Sequence, residues 1–297
     1  MLTAAAGARR VVDGTLGDGG HAEALLAAGA ELLAIDRDPD AIRIARGRLG
    51  EERIRYLQAS FASDPALESI TEFHPDFILL DLGLSSRQLD QLERGFSFRP
   101  GAGLDMRMDQ AGPTAADLLN RAPAETMARW FAEYADERRS RRLAGEIARR
   151  RESKPFATSD DLVNAIRAVL GPQSGPDDFA RLFQAIRIAV NSELAGLETA
   201  LPQLRDALVP GGGLAIISYH SGEDRLVKHA FREWSRACIC PEGSPLCTCR
   251  GRALGKEIPR GGMVPGPEEI ASNPRARSAR LRLFRVAGKA EGKIPPP

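Results

Sequence analysis

The sequence predicts an α/β protein: a doubly wound parallel sheet with an inserted helical domain. Three observations predict it. First, a short apolar run, Val11-Val12-Asp13, enters the glycine-rich turn Gly14-Thr15-Leu16-Gly17-Asp18-Gly19-Gly20-His21. A helix-compatible segment follows, and a second apolar run, Leu32-Leu33-Ala34-Ile35, ends in Asp36. That is the pattern of a nucleotide-binding βαβ unit, with a carboxylate placed to take ribose hydroxyls. Second, strand-like and helix-like segments keep alternating towards both ends of the chain. Third, the stretch between the fourth and fifth strand-like runs has helical patterning and exceeds any ordinary crossover.

The elements follow in order. Strand one leads into the turn, and strand two closes on Asp36. Ile54-Arg55-Tyr56-Leu57-Gln58 reads as strand three. Asp76-Phe77-Ile78-Leu79-Leu80-Asp81 reads as strand four, a continuous apolar run suited to burial on both faces. An apolar-periodic helix, Glu193 to Leu208, and the breaker Pro210-Gly211-Gly212-Gly213 precede strand five, Leu214 to His220. Arg280 to Val286 reads as the last strand. The organisation expected is a sheet domain in two parts, residues 1–92 and 191–297, around a helical insertion at 93–190. The tail from Gly288 is polar, proline-ended and expected to be disordered.

Composition excludes several classes. The chain has 297 residues, enough for a sizeable core, and a formal net charge of +1, so any basic surface is local. No stretch is long and apolar enough to span a membrane. The start, Met1 to Gly7, lacks the n-region and h-region of a signal peptide. Four cysteines in a chain of this size do not make a disulfide scaffold, and a reducing cytoplasmic compartment is expected.

The turn discriminates between cofactors. Gly17-x-Gly19-x-x-Ala22 satisfies the dinucleotide pattern, but Asp13 and Asp18 flank it and would repel a pyrophosphate. S-adenosylmethionine brings no phosphate, and its ammonium and sulfonium favour nearby carboxylates. The turn therefore favours S-adenosylmethionine over NAD, with a ligand-free tight turn as the bland alternative.

Two further features stand out. Arg121 to Lys154 is strongly basic, with Arg138-Arg139, Arg141-Arg142 and Arg149-Arg150-Arg151. Arg275, Arg277, Arg280, Arg282 and Arg285 form a second cluster. Such runs are solvated faces or phosphate-binding surfaces, and arginine suits the latter. Cys238-x-Cys240-x6-Cys247-x-Cys249 is compatible with tetrahedral zinc. The spacing departs from the usual C-x2-C pairs, so free thiols or adventitious pairing stay open and no metal ligand is assigned.

Several motifs together resemble one bacterial family. They are Asp13 to His21, Ala34-Ile35-Asp36-Arg37-Asp38-Pro39, Leu80 to Asp90, Arg94-Gly95-Phe96-Ser97-Phe98 and Leu104-Asp105-Met106-Arg107-Met108-Asp109. Phe183-Gln184-Ala185-Ile186-Arg187, Ser218 to Arg225 and Asn273-Pro274-Arg275-Ala276-Arg277-Ser278 complete the set. The chain resembles the 16S ribosomal RNA cytosine-N4 methyltransferases over nearly its whole length. The resemblance implies a doubly wound class I (Rossmann-like) methyltransferase sheet, S-adenosylmethionine as methyl donor, and methylation of the exocyclic N4 of a decoding-centre cytidine. It implies cofactor contacts at Gly19, Gly20, His21, Asp36, Phe61, Asp81 and Gln88, and 16S rRNA or the small subunit as partner. Monomer and homodimer both stay open. Members usually carry a His-x-Pro-Val-Leu-like stretch before the turn. Its absence points to a misassigned start or a truncated chain and bears on the methionine end of the pocket. Arg87 stands where Pro is common.

The N4 amine is a poor nucleophile, so the reaction needs in-line placement and polarisation of the amine hydrogens. Asp81, at a strand end beside the cofactor, is one candidate catalytic residue, although cofactor contact is its favoured role. His220 is the other, as proton acceptor or base-orienting group. Other amino-methyltransferases carry an Asp/Asn-Pro-Pro-aromatic motif here. This chain has Asp81-Leu82-Gly83-Leu84-Ser85-Ser86, so an aromatic must come from elsewhere, with Tyr219 a candidate. The alternatives are methyl transfer to another nucleic acid or a protein, and a non-catalytic RNA-binding module. A dehydrogenase lacks a hydride-transfer constellation.

Overall fold

The computed structural model describes residues 5–242, 244, 246 and 248–288. The tail beyond Gly288 and Cys247 lie outside the described residues. The chain forms two compact units, residues 1–83 with 194–297, and residues 84–193.

In the first unit, β1 (Arg10–Asp13), α1 (Gly20–Ala27), β2 (Glu31–Asp36), α2 (Pro39–Leu49), β3 (Ile54–Gln58), α3 (Asp64–Phe73) and β4 (Phe77–Asp81) alternate without interruption. In the second unit lie α4 (Ser86–Asp90), α5 (Ala115–Arg121), α6 (Ala124–Ala135), α7 (Ser140–Ser153), α8 (Ser159–Leu170) and α9 (Pro176–Asn191). The first unit resumes with α10 (Glu193–Ala207), β5 (Gly213–Ser218), α11 (Ser221–Trp234), β6 (Gly255–Glu257), α12 (Pro267–Ser272) and β7 (Arg280–Val286).

The strands make one sheet in the order β3-β2-β1-β4-β5-β7-β6. β1 to β5 are parallel, β7 is antiparallel to β5, and β6 is antiparallel to β7. The winding reverses between β1 and β4, so a crevice opens beyond the carboxyl ends of those strands. The expected doubly wound sheet is therefore present. Alternate residues serve opposite faces. Val12, Leu33, Ile78, Leu80 and Ile216 enter one core with residues of α3, α10 and α11. Val11, Leu32, Phe77, Leu79 and Ala215 enter the other with residues of α1 and α2. Burial on both faces explains the unbroken apolar run of β4.

Two details depart from the sequence reading. β6 was not anticipated, because three residues with no apolar alternation give no strand signal. Its Gly255 lets two backbones meet, since a Cβ there would stand 2.1 Å from the Arg285 carbonyl oxygen. β5 was expected to reach His220 but ends at Ser218, because His220 is already the N-cap of α11.

The second unit has its own core, with Phe131, Leu143, Ile147, Leu162, Leu182 and Ile186 fully buried. It runs from residue 84 rather than 93, and Leu84 and Leu89 pack on that core. Asn191 closes its far end: it donates to the Met106 carbonyl at 2.7 Å and accepts from the Met108 amide at 2.9 Å.

The arginine clusters separate into two kinds. Arg139 donates to the last carbonyls of α8, Val169 and Leu170. Arg151 donates to Leu119 and Ala122, closing the end of α5. Arg149 and Arg150 share Glu146. Arg138, Arg141 and Arg142 are exposed. In the C-terminal cluster, Arg275 and Arg277 are exposed, whereas Arg282 is buried in the sheet. Arg282 meets Asp224 at 2.7 Å and Glu257 at 2.6 Å, joining β7 to α11 and β6. It is a structural cation, not part of a phosphate-binding face. Arg282→Met leaves two carboxylates without their counter-ion, a loss worth about 3–5 kcal/mol when a buried pair is broken from one side. Asp224 is partly exposed, so the expected loss is near the lower end. Urea denaturation measures it, and a change below about 0.5 kcal/mol, the ordinary surface range, would mean that water replaces the guanidinium.

Candidate active site

The site is built where β1, β2, β4 and β5 end. Asp13 closes β1, and the chain must turn at once over β4. Gly14 makes that possible: a Cβ there would stand 2.4 Å from Leu80 Cδ2. Gly17 and Gly19 take positive φ, 52° and 83°, which glycine adopts without strain. Gly19 is the N-cap of α1 and has no side chain to bond the first-turn amides, so these stay open to a ligand. A Cβ on Gly20 would meet nothing within 4 Å, marking the clear side of the turn.

Three strand-end carboxylates face this turn. Asp36 closes β2 and accepts from the Gly17 amide at 2.7 Å and the Asp38 amide at 2.8 Å. It thereby ties the turn to β2. Burial pushes its carboxyl above the usual range, and the two amides pull it back. Each oxygen has one partner in these bonds and retains acceptor capacity for a ribose hydroxyl.

Asp13 is fully buried. Its Oδ1 accepts from the Thr15 amide at 3.3 Å, while Oδ2 has no hydrogen-bond partner among the described residues. Burial lifts this carboxyl to about 7; His21 opposes the rise, and the charges of Asp81 and Asp36 add to it.

Asp81 closes β4 and organises the rest. Its amide donates to Thr15 Oγ1 at 2.6 Å, fixing the strand end against the turn. Its Oδ2 lies 3.3 Å from His21 Nε2, and its Oδ1 accepts from the Tyr219 hydroxyl at 3.0 Å. The hydrogen bond to Asp81 raises the His21 pKa. Burial, and next the Asp81 charge, raise that of Tyr219, so the phenol stays a neutral donor. Gly83, at φ 98°, lies under the Tyr219 ring, and a Cβ there would stand 3.4 Å from ring carbon Cδ2.

His220 is placed differently from the expectation. Its Nδ1 accepts from the amides of Gly222 and Glu223 at 3.2 and 3.4 Å, capping α11. With Nδ1 an acceptor, the proton of a neutral imidazole sits on Nε2. That atom is buried, 3.2 Å from Glu223 Oε1 and outside hydrogen-bond geometry. Nδ1 is thus engaged in the helix cap, and Nε2 is buried beside Glu223. The Tyr219 amide donates to Glu223 Oε2 at 2.9 Å, so the same helix start holds the tyrosine.

Phe61 is half-buried beside the turn, its Cβ 3.5 Å from where a Gly14 Cβ would stand. Gln88 belongs to the second unit, where it is buried in a capping box. Its Oε1 accepts from the Ser85 amide at 3.1 Å, and its own amide donates to Ser85 Oγ at 3.2 Å. The structure thus brings together Gly19, Gly20, His21, Asp36, Phe61 and Asp81 within the first unit. Thr15 was not singled out from the sequence, and Asp13 only as a charge flanking the turn. The signal was available: both belong to the strand end and turn that face Asp81 across neighbouring strands, with Asp13 in register with Leu79.

The chain is similar to several known proteins. The "Ribosomal RNA small subunit methyltransferase H" of Gemmatimonas aurantiaca is 57% identical over 290 residues, covering 96% of this chain and 92% of that one. The protein of the same description from Heliobacterium modesticaldum is 43% identical over 282 residues, covering 91% and 90%. A solved putative methyltransferase from Streptococcus mutans, in complex with SAH, covers 94% of this chain and 88% of its own at 11% identity and a TM-score of 0.39. The family model described as the MraW methylase family matches residues 2–287, and the chain belongs to that family of methyltransferases.

Proposed function

We propose that the protein transfers a methyl group from S-adenosylmethionine to the exocyclic N4 of a cytidine in the decoding centre of 16S rRNA. The observation that carries the reading is the convergence of Asp13, Asp36 and Asp81 on one glycine-rich turn. A crevice lined by strand-end carboxylates suits a cationic nucleoside and repels a pyrophosphate. The orphaned Oδ2 of Asp13 supports the fit, since a buried acceptor without a partner calls for a donor or a cation. The names of the relatives support small-subunit rRNA as the substrate.

S-adenosylmethionine, when bound, supplies an electrophilic methyl group on sulfur. In this reading Asp36 accepts the ribose hydroxyls, and Phe61 abuts the adenine. The open amides after Gly19, with Gly20 and His21, receive the methionine end beside Asp13. Methylation of N4 would require the amine to lose a proton. Asp81 accepts from the amine hydrogens and is the nearest acceptor for that proton. Tyr219 fixes the carboxylate and offers an aromatic face beside it. His220 is a positioning residue that caps α11 and so holds Tyr219. The second unit, through Arg138, Arg141 and Arg142, and the C-terminal segment, through Arg275 and Arg277, hold the RNA backbone. No helix among the described residues is long and apolar enough to cross a membrane.

The decisive experiment incubates the protein with labelled S-adenosylmethionine and unmodified small subunits, with free 16S rRNA in parallel, and maps the modified nucleoside. N4-methylcytidine is expected; label in another nucleoside, or in protein, would overturn the substrate.

Asp36→Ala should weaken S-adenosylmethionine by roughly 1.5–3 kcal/mol, the range for hydrogen bonds to a charged group. Unchanged affinity in calorimetry would refute the ribose assignment.

Asp81→Asn should lower kcat and kcat/KM together, by roughly 100-fold or more if the carboxylate takes the proton. Tyr219→Phe should lower kcat with little change in cofactor affinity. His220→Asn keeps an N-cap acceptor and should stay near the parental rate, while His220→Ala should not. An inactive His220→Asn with intact cofactor binding would restore His220 to the chemistry.

A cation beside Asp13 Oδ2 favours the carboxylate and lowers a pKa that stands at about 7 in the free protein. Binding should therefore release protons near and below that pH, and affinity should rise as pH rises through it. Calorimetry in buffers of different ionisation enthalpy measures the release, which Asp13→Asn should diminish.

A further inference from the structure

We propose that Cys238, Cys240 and Cys249 form a thiolate site for a zinc ion that clips the loop between α11 and β6. The three Sγ atoms all lie within 4.8 Å of one another. Those of Cys238 and Cys249 are 3.9 Å apart. Tetrahedral zinc with Zn–S bonds of about 2.3 Å sets neighbouring sulfurs about 3.8 Å apart. A disulfide would hold them at about half that distance.

The backbone is arranged for thiolates. The Ile239 amide donates to Cys249 Sγ at 3.3 Å, and the amides of Thr248 and Cys249 are directed at Cys240. Amide-to-sulfur hydrogen bonds stabilise negative sulfur, and the same loop supplies both the thiols and the donors. The ends of the loop are pinned. Arg250, next after Cys249, meets Glu233 Oε1 at 2.7 Å and the Arg236 carbonyl at 3.0 Å, and it also donates to the Glu233 carbonyl. The Leu254 amide donates to the Trp234 carbonyl at 2.8 Å. Both anchor points are at the end of α11, so the chain leaves the helix and returns to it, and the thiols meet within that excursion.

Among the described residues of the loop, the large apolar side chains Ile239 and Leu246 are exposed rather than packed in a core. A cross-link is the usual remedy where burial cannot order a segment. A thiolate-rich, tetrahedral set with no redox demand selects zinc over hard cations. The described residues supply three ligands; Cys247, two residues before Cys249 in the sequence, lies outside them. Beyond the loop the chain enters β6, whose Glu257 meets Arg282, so the clip also steadies the sheet edge. The inference is independent of the methyl-transfer reading.

The test uses the full-length protein purified under reducing conditions. Metal analysis after dialysis should give one zinc per chain. Cobalt substitution should give a sulfur-to-cobalt charge-transfer band and the d–d absorption of tetrahedral cobalt. Cys238→Ser, Cys240→Ser and Cys249→Ser should each lose the ion or weaken that band, and a chelator should lower Tm in the parent only. Should a serine variant fail to fold, the cobalt spectrum of the parent still decides. Zinc that stays at parental stoichiometry in all three variants, a cobalt spectrum without sulfur charge transfer, or a disulfide among these cysteines in the purified protein would each overturn the site.

Discussion

A carboxylate taken out of water must be hydrogen-bonded, paired or protonated, and the site is arranged around that constraint. Parallel strands end at one edge of the sheet, and three of them here end in Asp. Each is resolved differently. Asp36 receives two backbone amides, Asp81 a tyrosine hydroxyl and a histidine, and Asp13 a single amide with its second oxygen left over. Two glycines follow from the same constraint: Gly17, at positive φ, presents its amide to Asp36, and Gly14 clears Leu80 of β4. The turn that reads as a nucleotide-binding pattern is thus also what keeps the ionised Asp36 tolerable.

Much of this was legible in the residues. The apolar runs of β1, β2 and β4 are buried on both faces and carry a strong signal, and their terminal carboxylates are visible because Asp is rare in such runs. What was illegible depends on contacts between distant segments. The Tyr219–Asp81 bond spans 138 residues, and only the pairing of β4 with β5 brings it about. His220 shows the converse. A histidine at a strand end beside an acidic crevice suggests proton transfer, but two residues further on the chain has become helix, and the imidazole answers the amides of that helix. Local capping chemistry prevailed over position.

The arginines show why a charge run cannot be read as a surface. Twelve arginines fall in two clusters of the sequence, yet the fold sorts them by what each can reach. Helix C-termini expose carbonyls that a guanidinium can close, and Arg139 and Arg151 do so. Arg282 falls on an inward-facing position of β7, where the alternation of the strand decides its fate and acids on α11 and β6 must follow it inside. Arg275 and Arg277 lie in the short 3-10 turn before that strand, where nothing forces them inward.

The insertion enters just after Asp81 and Gly83 and leaves just before α10, so the sheet domain receives it at the edge where its carboxylates gather. Among the described residues, both sheet cores are formed without residues 84–193. The second unit likewise closes its own core, with Asn191 sealing its end against Met106 and Met108. What the junction supplies is chain proximity: Leu84 to Gln88 begin directly after the strand end that carries Asp81. Loops at the carboxyl ends of parallel strands are where such sheets place their chemistry, and the chain leaves the sheet for the second unit at one of them, the end of β4.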